Sequence, residues 1–417
     1  MYQRIIDNNW NFKNANTKEY THCYHNYPAM MIPQIARALL EKYSPEQGVK
    51  LLLDPYMGSG TSLVEASLKG INAIGSDLNP LARLISKVKT LHYAEKQIKY
   101  YFTVIQSYLF EYRTDLVRNS NFNNISNHSY WYSEDSLFRL SYLSQTIQDY
   151  IPQEYTDFFY TALSEVIREV SFTRNSEFKR FRMPEEKIEK FTPNVFRLFE
   201  EKVARNIQGL IEYNKVKTQA QITICNFDSC IEIPESIIKP QTVDMVITSP
   251  PYGDSKTTVA YGQFSRWANE WFNFENAKNL DNYLMGGKKQ YEEKFCTSTI
   301  RKELDEIKVC DTKRYNEVIS FLNDYSASIT HVADVVKKKG IVCYVVGNRT
   351  VRGITIPLDY FTTEMFEKCG FRHIKTIVRE IPNKRMPSKT SPTNEKGKKV
   401  STMCHEYIVI LEKNRSF

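Results

Sequence analysis

Residues 49–66 read VKLLLDPYMGSGTSLVEA, and this stretch decides the fold. An apolar strand runs into a turn that contains Gly58 and Gly60, and the turn opens a helix with an apolar pattern. This order predicts the first βα unit of a doubly wound α/β sheet, in which ligands bind beyond the carboxyl ends of the strands. The glycines let the backbone pass close to a ligand, and Asp54 offers a carboxylate to a cationic one.

The glycine pattern also narrows the kind of ligand. It is neither the Gly-x-Gly-x-x-Gly fingerprint of dinucleotide-binding proteins nor the Gly-Lys-Ser/Thr loop that binds phosphates. A second strand, residues 72–77, ends at Asp77. An acid at this position commonly binds ribose hydroxyls, or it caps the next helix. Because Asn79 and Pro80 can cap that helix, Asp77 is predicted to bind the ligand.

A second stretch, VDMVITSPPYG at residues 243–253, reads as a buried parallel strand that ends abruptly. Pro250 and Pro251 fix φ and remove two backbone donors, so neither a strand nor a helix can continue. The carbonyl groups of the turn are therefore rigid hydrogen-bond acceptors beside the ring of Tyr252. Acceptors next to a flat ring suit a planar heterocycle that carries an exocyclic amino group.

Both stretches resemble motifs of one enzyme family. Residues 248–252, Thr-Ser-Pro-Pro-Tyr, resemble the catalytic motif of amino-methylating DNA methyltransferases in the form usual for the N4-cytosine type; the adenine type more often begins with Asn or Asp. Residues 54–61 resemble the S-adenosylmethionine loop of the same family, Asp-Pro-Phe-x-Gly-Ser-Gly-Thr, with Tyr56 in place of Phe. The resemblance implies a seven-stranded, Rossmann-like methyltransferase sheet.

The resemblance also implies roles for individual residues. The catalytic residues would be Ser249, Pro250, Pro251 and Tyr252. In the family, a Tyr-Pro-Ala segment lines the methionine end of the cofactor, and an acid after the third strand accepts from the adenine amino group. The cofactor-binding residues would accordingly be Tyr27, Pro28, Asp54, Pro55, Gly58, Gly60, Thr61, Asp77, Leu78 and Asp228, with Leu78 against the adenine face.

The alternation of strands and helices stops between residues 92 and 217, where several helical stripes replace it. We predict three parts: residues 1–91 with the cofactor motifs, a helical insertion at 92–217 that recognises the DNA target, and residues 218–417 with the catalytic motif and closing strands. The insertion precedes Asp228, whereas in the resembling family target recognition follows the corresponding position, so this assignment stays open.

Basic clusters suggest where DNA binds. The run from residue 174 to 182 holds four cations, two aromatic rings and one acid, a composition typical either of a solvated surface or of contact with a phosphate backbone. A loop at residues 383–399 holds six basic residues and one acid. The candidate DNA-binding residues are Arg174, Lys179, Arg180, Arg182, Lys384 and Arg385.

The remaining segments are predicted from their patterns. Strands begin near residues 51, 72, 221, 243, 341, 371 and 405, which gives seven. The polar residues 1–20 are predicted to be a loosely held arm, and the stretch from 253 to 312 a mobile lid. The run Lys337–Lys339 is predicted to cap a helix at its carboxyl end.

Composition limits the compartment and the partners. Hydrophobic residues make up 41% and charged residues 25% of the 417 residues, as in ordinary globular proteins, and the net charge of +8 favours a polyanionic partner. The eight cysteines form no Cys-x-x-Cys pair, which argues against a zinc ribbon or a disulfide framework. With neither a signal peptide nor a long apolar run, we predict a cytoplasmic protein without a metal or a membrane partner.

The function predicted from these observations is methyl transfer from S-adenosylmethionine to N4 of a flipped cytosine in double-stranded DNA, with a cognate restriction endonuclease as a further partner. The alternatives are an adenine-N6 DNA methyltransferase, an RNA guanine-N2 methyltransferase and a catalytically silent DNA-binding subunit. A cytosine-C5 enzyme is excluded, because that class needs a Pro-Cys nucleophile and no cysteine follows a proline here.

Overall fold

The computed structural model describes residues 2–118, 121–175, 177–216, 218–254, 258–381, 389–390, 400–401 and 404–414. Within these ranges, eight strands form one large sheet and four short strands form two small sheets. The strands are β1 (Arg4–Ile6), β2 (Leu51–Asp54), β3 (Asn72–Ser76), β4 (Ile222–Cys225), β5 (Val243–Thr248), β6 (Val336–Val346), β7 (Arg349–Val351), β8 (Ile354–Ile356), β9 (Phe371–Glu380), β10 (Lys389–Thr390), β11 (Val400–Ser401) and β12 (His405–Lys413).

The α-helices of the described residues surround the large sheet. They are α1 (Pro33–Gln47), α2 (Thr61–Leu68), α3 (Pro80–Thr90), α4 (Glu95–Phe110), α5 (His128–Trp131), α6 (Glu134–Tyr150), α7 (Gln153–Glu169), α8 (Glu185–Ile188), α9 (Val195–Lys215), α10 (Tyr261–Trp271), α11 (Arg301–Cys310), α12 (Thr312–Val335) and α13 (Leu358–Lys368).

The large sheet has the strand order β1-β9-β12-β6-β5-β2-β3-β4. Strands β4, β3, β2, β5 and β6 run parallel, and β12 is antiparallel to both β6 and β9. The chain passes from β2 to β3 and β4 on one side, and later to β5 and β6 on the other. The loops after β2 and β5 therefore diverge, and this topological switch point is where open α/β sheets bind ligands.

The doubly wound α/β fold predicted from the sequence is confirmed, and all seven predicted strands are present. Strand β5 is buried along its whole length, as expected for a parallel strand with both faces covered. An eighth strand was not predicted. Arg4–Ile6 pair with Thr376–Val378 of β9, so this part of the predicted loose arm is an edge strand of the sheet.

Six α-helices, α4–α9, occupy the described part of the chain between α3 and β4. They do not form a core of their own. Phe159 of α7 and Phe199 of α9 belong to the same buried cluster as Ile85 of α3 and Trp267 of α10. The helical insertion is therefore packed onto the sheet through helices that lie next to the carboxyl ends of the strands. Among the described helices, none combines the length and the apolar character needed to cross a bilayer.

Candidate active site

A crevice of about 960 Å³, its open mouth included, lies at the carboxyl ends of the parallel strands. Its walls come from the loops after β2, β3, β4 and β5, together with the segment before α1 and the segment after α10. Of the predicted site residues, the crevice is lined by Tyr27, Pro28, Asp54, Pro55, Gly58, Thr61, Asp77, Leu78, Asp228, Ser249 and Pro251. Gly60, Pro250 and Tyr252 adjoin these residues in the chain but are not part of the lining.

The glycine turn forms the floor of the crevice. Gly58 and Gly60 have φ values of +49° and +76°, in the left-handed region that favours glycine. A Cβ on Gly60 would lie 2.8 Å from the Ser86 hydroxyl oxygen, and that hydroxyl donates to the Gly58 carbonyl. The turn is thus closed against α3, which leaves no room for a side chain at residue 60.

Asp54 joins the glycine turn to the end of β5. Its buried carboxylate accepts hydrogen bonds from the hydroxyl groups of Thr248, at 2.6 Å, and of Ser62. It also accepts from the Tyr56 amide at 3.1 Å. Burial raises the pKa of Asp54 to about 6, although these hydrogen bonds favour the charged form. Because Thr248 directly precedes Ser249, Asp54 fixes the position of the catalytic turn relative to the glycine turn.

Asp77 holds the opposite side of the same turn. Its carboxylate accepts from the Gly58 amide at 3.0 Å and from the Asn79 amide at 2.8 Å. Burial raises the pKa of Asp77 to about 6. The N-cap of α3 is Asn79, whose side chain accepts from the Leu81 amide. Asp77 therefore lines the crevice and is not the cap of α3.

Aromatic and polar residues from α10 complete one wall. Asn79 donates to the Tyr27 hydroxyl oxygen at 2.9 Å and to the Ser265 hydroxyl oxygen at 2.7 Å. The rings of Tyr27 and Tyr261 stack with their centroids 6.1 Å apart. Sequence reasoning missed Asn79, Ser265 and Tyr261 as site residues, because they meet only through the packing of α3 against α10. The sole local sequence signal for this group is Tyr261, an aromatic residue shortly after the Ser-Pro-Pro-Tyr turn.

The far wall follows β4. Phe227 is buried and lines the crevice beside Asp228, whose carboxylate accepts from the Cys230 amide at 2.9 Å. Leu78 lines the crevice from the end of β3. Apolar side chains and a carboxylate at adjacent strand ends form a slot with an apolar face and an acceptor edge.

The segment after α10 supplies the last part of the lining, Leu284 and Met285. Its backbone is held by polar side chains of α12. Asp324 accepts from the Gly286 amide at 2.8 Å, and Ser320 accepts from the Gln290 amide at 2.8 Å. Asn323 accepts from the Lys294 amide and donates to the Glu292 carbonyl, both at 2.8 Å.

The same segment is also fixed farther along. The Glu364 carboxylate on α13 accepts from the backbone and hydroxyl groups of residues 297–299. These bonds lower the pKa of Glu364 to about 2. Residues 286–299 belong to the described part of the predicted lid. They are hydrogen-bonded to α12 at one end and to α13 at the other.

The Ser-Pro-Pro-Tyr turn, residues 249–252, is held by hydrogen bonds within the turn and to β12. The hydroxyl oxygens of Ser249 and Tyr252 are 3.2 Å apart, and the Tyr252 hydroxyl donates to Glu406 at 3.1 Å. Glu406 also forms an ion pair with Arg379. The partly buried Tyr252 ring lies in a neighbouring depression lined by Val318, Phe321, Leu322, Arg349, Ile356 and Leu358.

A second ion pair fixes the chain just beyond the turn. Asp254 and Arg349 form a buried ion pair at 2.9 Å, and Arg349 belongs to the small sheet β7–β8. A Cβ on Gly253 would lie 2.4 Å from the Arg349 guanidinium. A side chain at residue 253 would therefore displace the Arg349 guanidinium from its present position. In the part of the chain that the structure describes, no group of three or more His, Cys, Asp and Glu side chains is arranged to hold a metal ion.

The predicted DNA-binding cations differ in their surroundings. Arg180 lies 4.7 Å above the Trp267 ring, and Arg182 lies 4.3 Å above the Tyr130 ring and pairs with Glu185. These two side chains attach the 173–182 loop to the helices, and burial lowers the pKa of Arg180 to about 10. Arg174 is exposed and Lys179 is partly exposed on the same loop. Lys384 and Arg385 lie outside the described residues.

Comparison with known proteins places the chain in a family. The sequence profile of the family described as "RMKL-like, methyltransferase domain" matches residues 19–123. A type II methyltransferase of Kocuria varians, M.MvaI, is 39% identical over 435 residues, which cover 98% of this chain and 95% of the relative. The chain belongs to the type II methyltransferase family.

Two further type II methyltransferases match shorter stretches. M.MjaII of Methanocaldococcus jannaschii is 36% identical over 81 residues, which cover 19% of this chain and 15% of the relative. M.BsoBI of Geobacillus stearothermophilus is 30% identical over 76 residues, which cover 18% of this chain and 15% of the relative. The activity of a type II methyltransferase is thus assigned by the match over nearly the whole chain, and the family profile covers the crevice residues from Tyr27 to Asp77.

Proposed function

We propose that this methyltransferase transfers a methyl group from S-adenosylmethionine to the N4 amino group of a cytosine in double-stranded DNA. The observation that carries the proposal is that Asp54, Asp77, Asp228 and Ser249, which are far apart in the sequence, line one crevice. Three carboxylates at strand ends suit a cationic nucleoside. Ser249 at the edge of the same crevice offers an acceptor to an amino group.

The crevice residues would contact successive parts of S-adenosylmethionine: the ribose, the adenine and the methionine end. Asp77 would accept hydrogen bonds from the ribose hydroxyls. Phe227 and Leu78 would flank the adenine, whose amino group would donate to Asp228. Tyr27, Pro28 and Asp54 would surround the methionine and sulfonium end. When bound, the cofactor supplies an electrophilic methyl group on a positively charged sulfur.

The chain's own residues would prepare the target amine. A base inside a duplex is out of reach, so it must be flipped out at a cost of a few kcal/mol. The Ser249 oxygen and the Pro250 carbonyl would accept from its amino group and direct the nitrogen lone pair toward the methyl group. On receiving the methyl group, the target amine would lose one proton to water. Correct placement supplies most of the acceleration.

Tyr252 would contact the flipped base through the exposed part of its ring. The ring is only partly buried, and its hydroxyl is held by Glu406, so it offers a flat surface of fixed orientation. Pro251 sets the distance between this ring and the crevice. Pro251 and Tyr252 would therefore position the base, and Ser249 and the Pro250 carbonyl would touch the reacting amino group.

The 173–182 loop is the proposed contact with DNA. The exposed Arg174, the partly exposed Lys179 and the exposed rings of Phe178 and Phe181 share this loop, a combination that suits a phosphate backbone and unstacked bases. Arg180 and Arg182 would add positive charge while anchoring the loop. The Arg180 amide donates to the Gln263 side chain, which ties the loop to the helix that opens with Tyr261. Lys384 and Arg385 are proposed as a second contact with phosphates.

Methyl transfer with isotopically labelled S-adenosylmethionine tests the proposal. Duplex DNA and, separately, RNA are incubated with the protein, digested to nucleosides and analysed by mass spectrometry. We expect label in N4-methylcytosine. Label in N6-methyladenine would transfer the proposal to adenine, and label in RNA guanine would overturn the DNA substrate. Cofactor binding without any transfer would identify a silent DNA-binding subunit.

The Ser249→Ala variant tests the role proposed for this residue. Removing one preorganised hydrogen-bonding group of this kind lowers turnover by about 100-fold or more. Calorimetric binding of S-adenosylmethionine should be unchanged, because Ser249 would touch the target amine. A loss of cofactor binding in this variant would contradict the role given to Ser249. A cognate restriction endonuclease is also part of the proposal. The test is whether host DNA that this protein has methylated resists cleavage by that endonuclease.

A further inference from the structure

Three side chains link the crevice to the antiparallel edge of the sheet. Ser249 lines the crevice, Tyr252 stands 3.2 Å behind it, and Glu406 stands 3.1 Å behind Tyr252. We propose that Glu406 is a positioning residue that sets the direction of the hydrogen bonds in this chain, so that Ser249 presents a lone pair to the target amine. The inference rests on the proposed function and adds to it a residue that no motif assigns.

The direction follows from the donors and acceptors that the three groups possess. An ionised carboxylate can only accept, so the single hydroxyl proton of Tyr252 is donated to Glu406. The Tyr252 oxygen is then an acceptor, and the Ser249 hydroxyl can donate to it. The remaining lone pairs of Ser249 are left for the crevice. An amino group that donates its proton there meets an acceptor and not a competing donor.

Glu406 is held in place by a built ion pair. Arg379, whose side chain is 3% exposed, pairs with it across the β9–β12 ladder, in which the two residues are direct partners. The Arg379 guanidinium also donates to the Trp10 carbonyl at 2.7 Å and to the Asn11 carbonyl at 3.3 Å. A guanidinium fixed by backbone carbonyls keeps the carboxylate in one orientation.

The topology explains how a residue near the end of the chain reaches the catalytic turn. Strand β12 is antiparallel to its neighbours, so its first residues lie at the edge where the parallel strands end. Tyr407 pairs with Val346, the last residue of β6, and Glu406 lies just beyond this pair. Burial and the Glu406 carboxylate raise the pKa of Tyr252 well above its usual value, so the hydroxyl keeps its proton.

The first test replaces the carboxylate by an amide of the same size. In Glu406→Gln the side chain can donate, so Tyr252 is able to donate to Ser249 and turn the Ser249 proton into the crevice. We expect the single-turnover rate at saturating S-adenosylmethionine to fall about 10- to 100-fold, with unchanged cofactor affinity. The matched control is Glu380→Gln on the neighbouring strand β9, whose exposed side chain pairs with Lys13 and which should keep the wild-type rate.

The second test is a double-mutant cycle that separates direction-setting from simple structural support. Tyr252→Phe keeps the ring but removes the hydroxyl through which Glu406 acts. In that background, Glu406→Gln should change the rate by no more than about twofold. A further loss equal to that in the wild-type background would overturn the inference, since it would show that Glu406 acts through Arg379 and the fold. Thermal unfolding of each variant monitors that fold.

The two proposals fail separately. A wild-type protein that methylates no nucleic acid refutes the proposed function, whereas a wild-type protein that methylates DNA with a Glu406→Gln variant at the same rate refutes only the role of Glu406.

Discussion

At the scale of single residues, the crevice contains carboxylates whose burial costs free energy. Asp54 and Asp77 each have a pKa raised to about 6 by burial, against 3.8 in water. A raised carboxyl pKa means that the folded protein binds protons more readily than the unfolded chain. The resulting stability is fully present below the unfolded pKa and is lost as the pH rises through about 6. The unliganded site is therefore less stable when both groups are charged, as the proposed cofactor requires.

Binding of S-adenosylmethionine should therefore depend on pH. A charged Asp77 is a better acceptor for ribose hydroxyls than a protonated one, and a charged Asp54 attracts the sulfonium group. As the pH falls from about 7.5 to about 5, the dissociation constant of S-adenosylmethionine should rise roughly tenfold. Calorimetric titration measures it. Asp77→Asn should bind weakly with a smaller pH effect, whereas the exposed Asp135→Asn should follow the wild type; equal pH effects in all three proteins would contradict this role of Asp77.

The sequence could supply some of the site residues and not others, for a physical reason. Asp54 ends a strand, and Asp77, Asp228 and Ser249 come shortly after one. Because the carboxyl ends of parallel strands meet at one edge, the strand pattern alone predicts that these residues gather. Glu406 and Tyr261 reach the same region from an antiparallel strand and from a helix beyond the catalytic turn. Which residue of such an element faces the crevice depends on packing, which leaves no local pattern.

At the scale of elements, the segment of residues 286–299 shows what periodicity cannot detect. The predicted mobile lid, residues 253–312, was inferred from the lack of a dominant helical or strand pattern, yet it contains α10 and α11 as well as this segment. In the structure the backbone of this segment is bound by Ser320, Asn323 and Asp324, which lie on one face of α12 because residues three and four apart are neighbours on a helix. Side chains of a later helix thus replace secondary structure as partners for this backbone.

A single substitution on α12 should therefore loosen the crevice wall. Asn323→Ala leaves the Lys294 amide and the Glu292 carbonyl without this partner, at a cost of about 0.5–1.5 kcal/mol for each lost hydrogen bond. Amides of residues 284–294 should exchange faster with deuterium, and S-adenosylmethionine should bind several-fold more weakly because Leu284 and Met285 line its site. Thr330→Ala on the exposed side of α12 is the control; unchanged exchange in Asn323→Ala would contradict the anchoring role.

The lysine run before β6 shows how a tertiary partner overrides a local signal. Lys337–Lys339 was predicted to cap a helix, but α12 ends at Val335 and the run belongs to β6. Lys337 pairs with Asp244 of β5, and Lys339 has a φ of +64° where the pairing between β5 and β6 shifts register. The ion pair with Asp244 favours the strand conformation at Lys337, although a lysine here would also suit the carboxyl end of a helix dipole.

At the scale of the whole molecule, the helical insertion and the cofactor site share one core. The cluster that holds Phe159 and Phe199 of the insertion also holds Tyr27, which lines the crevice, and Trp267 of α10. The division at residues 92 and 217 remains a prediction about sequence organisation. Packing adds that the two parts stabilise each other, because neither can separate without exposing large buried rings.

The shared core predicts that the insertion and the cofactor site unfold together. Phe159→Ala removes a fully buried ring of α7, at a cost of about 3–5 kcal/mol. Scanning calorimetry should show one transition for the wild type and one, at lower temperature, for the variant. Binding of S-adenosylmethionine should raise both midpoints, since a ligand that binds only the folded state stabilises everything that unfolds with its site.

The control for this prediction is Phe110→Ala on α4, which changes the same side chain where it is 93% exposed and should leave the midpoint unchanged. If Phe159→Ala instead gave two transitions, of which only the later one moved with cofactor, the insertion would fold as a separate unit. The contacts between Tyr27, Phe264 and the helices of the insertion favour the single transition.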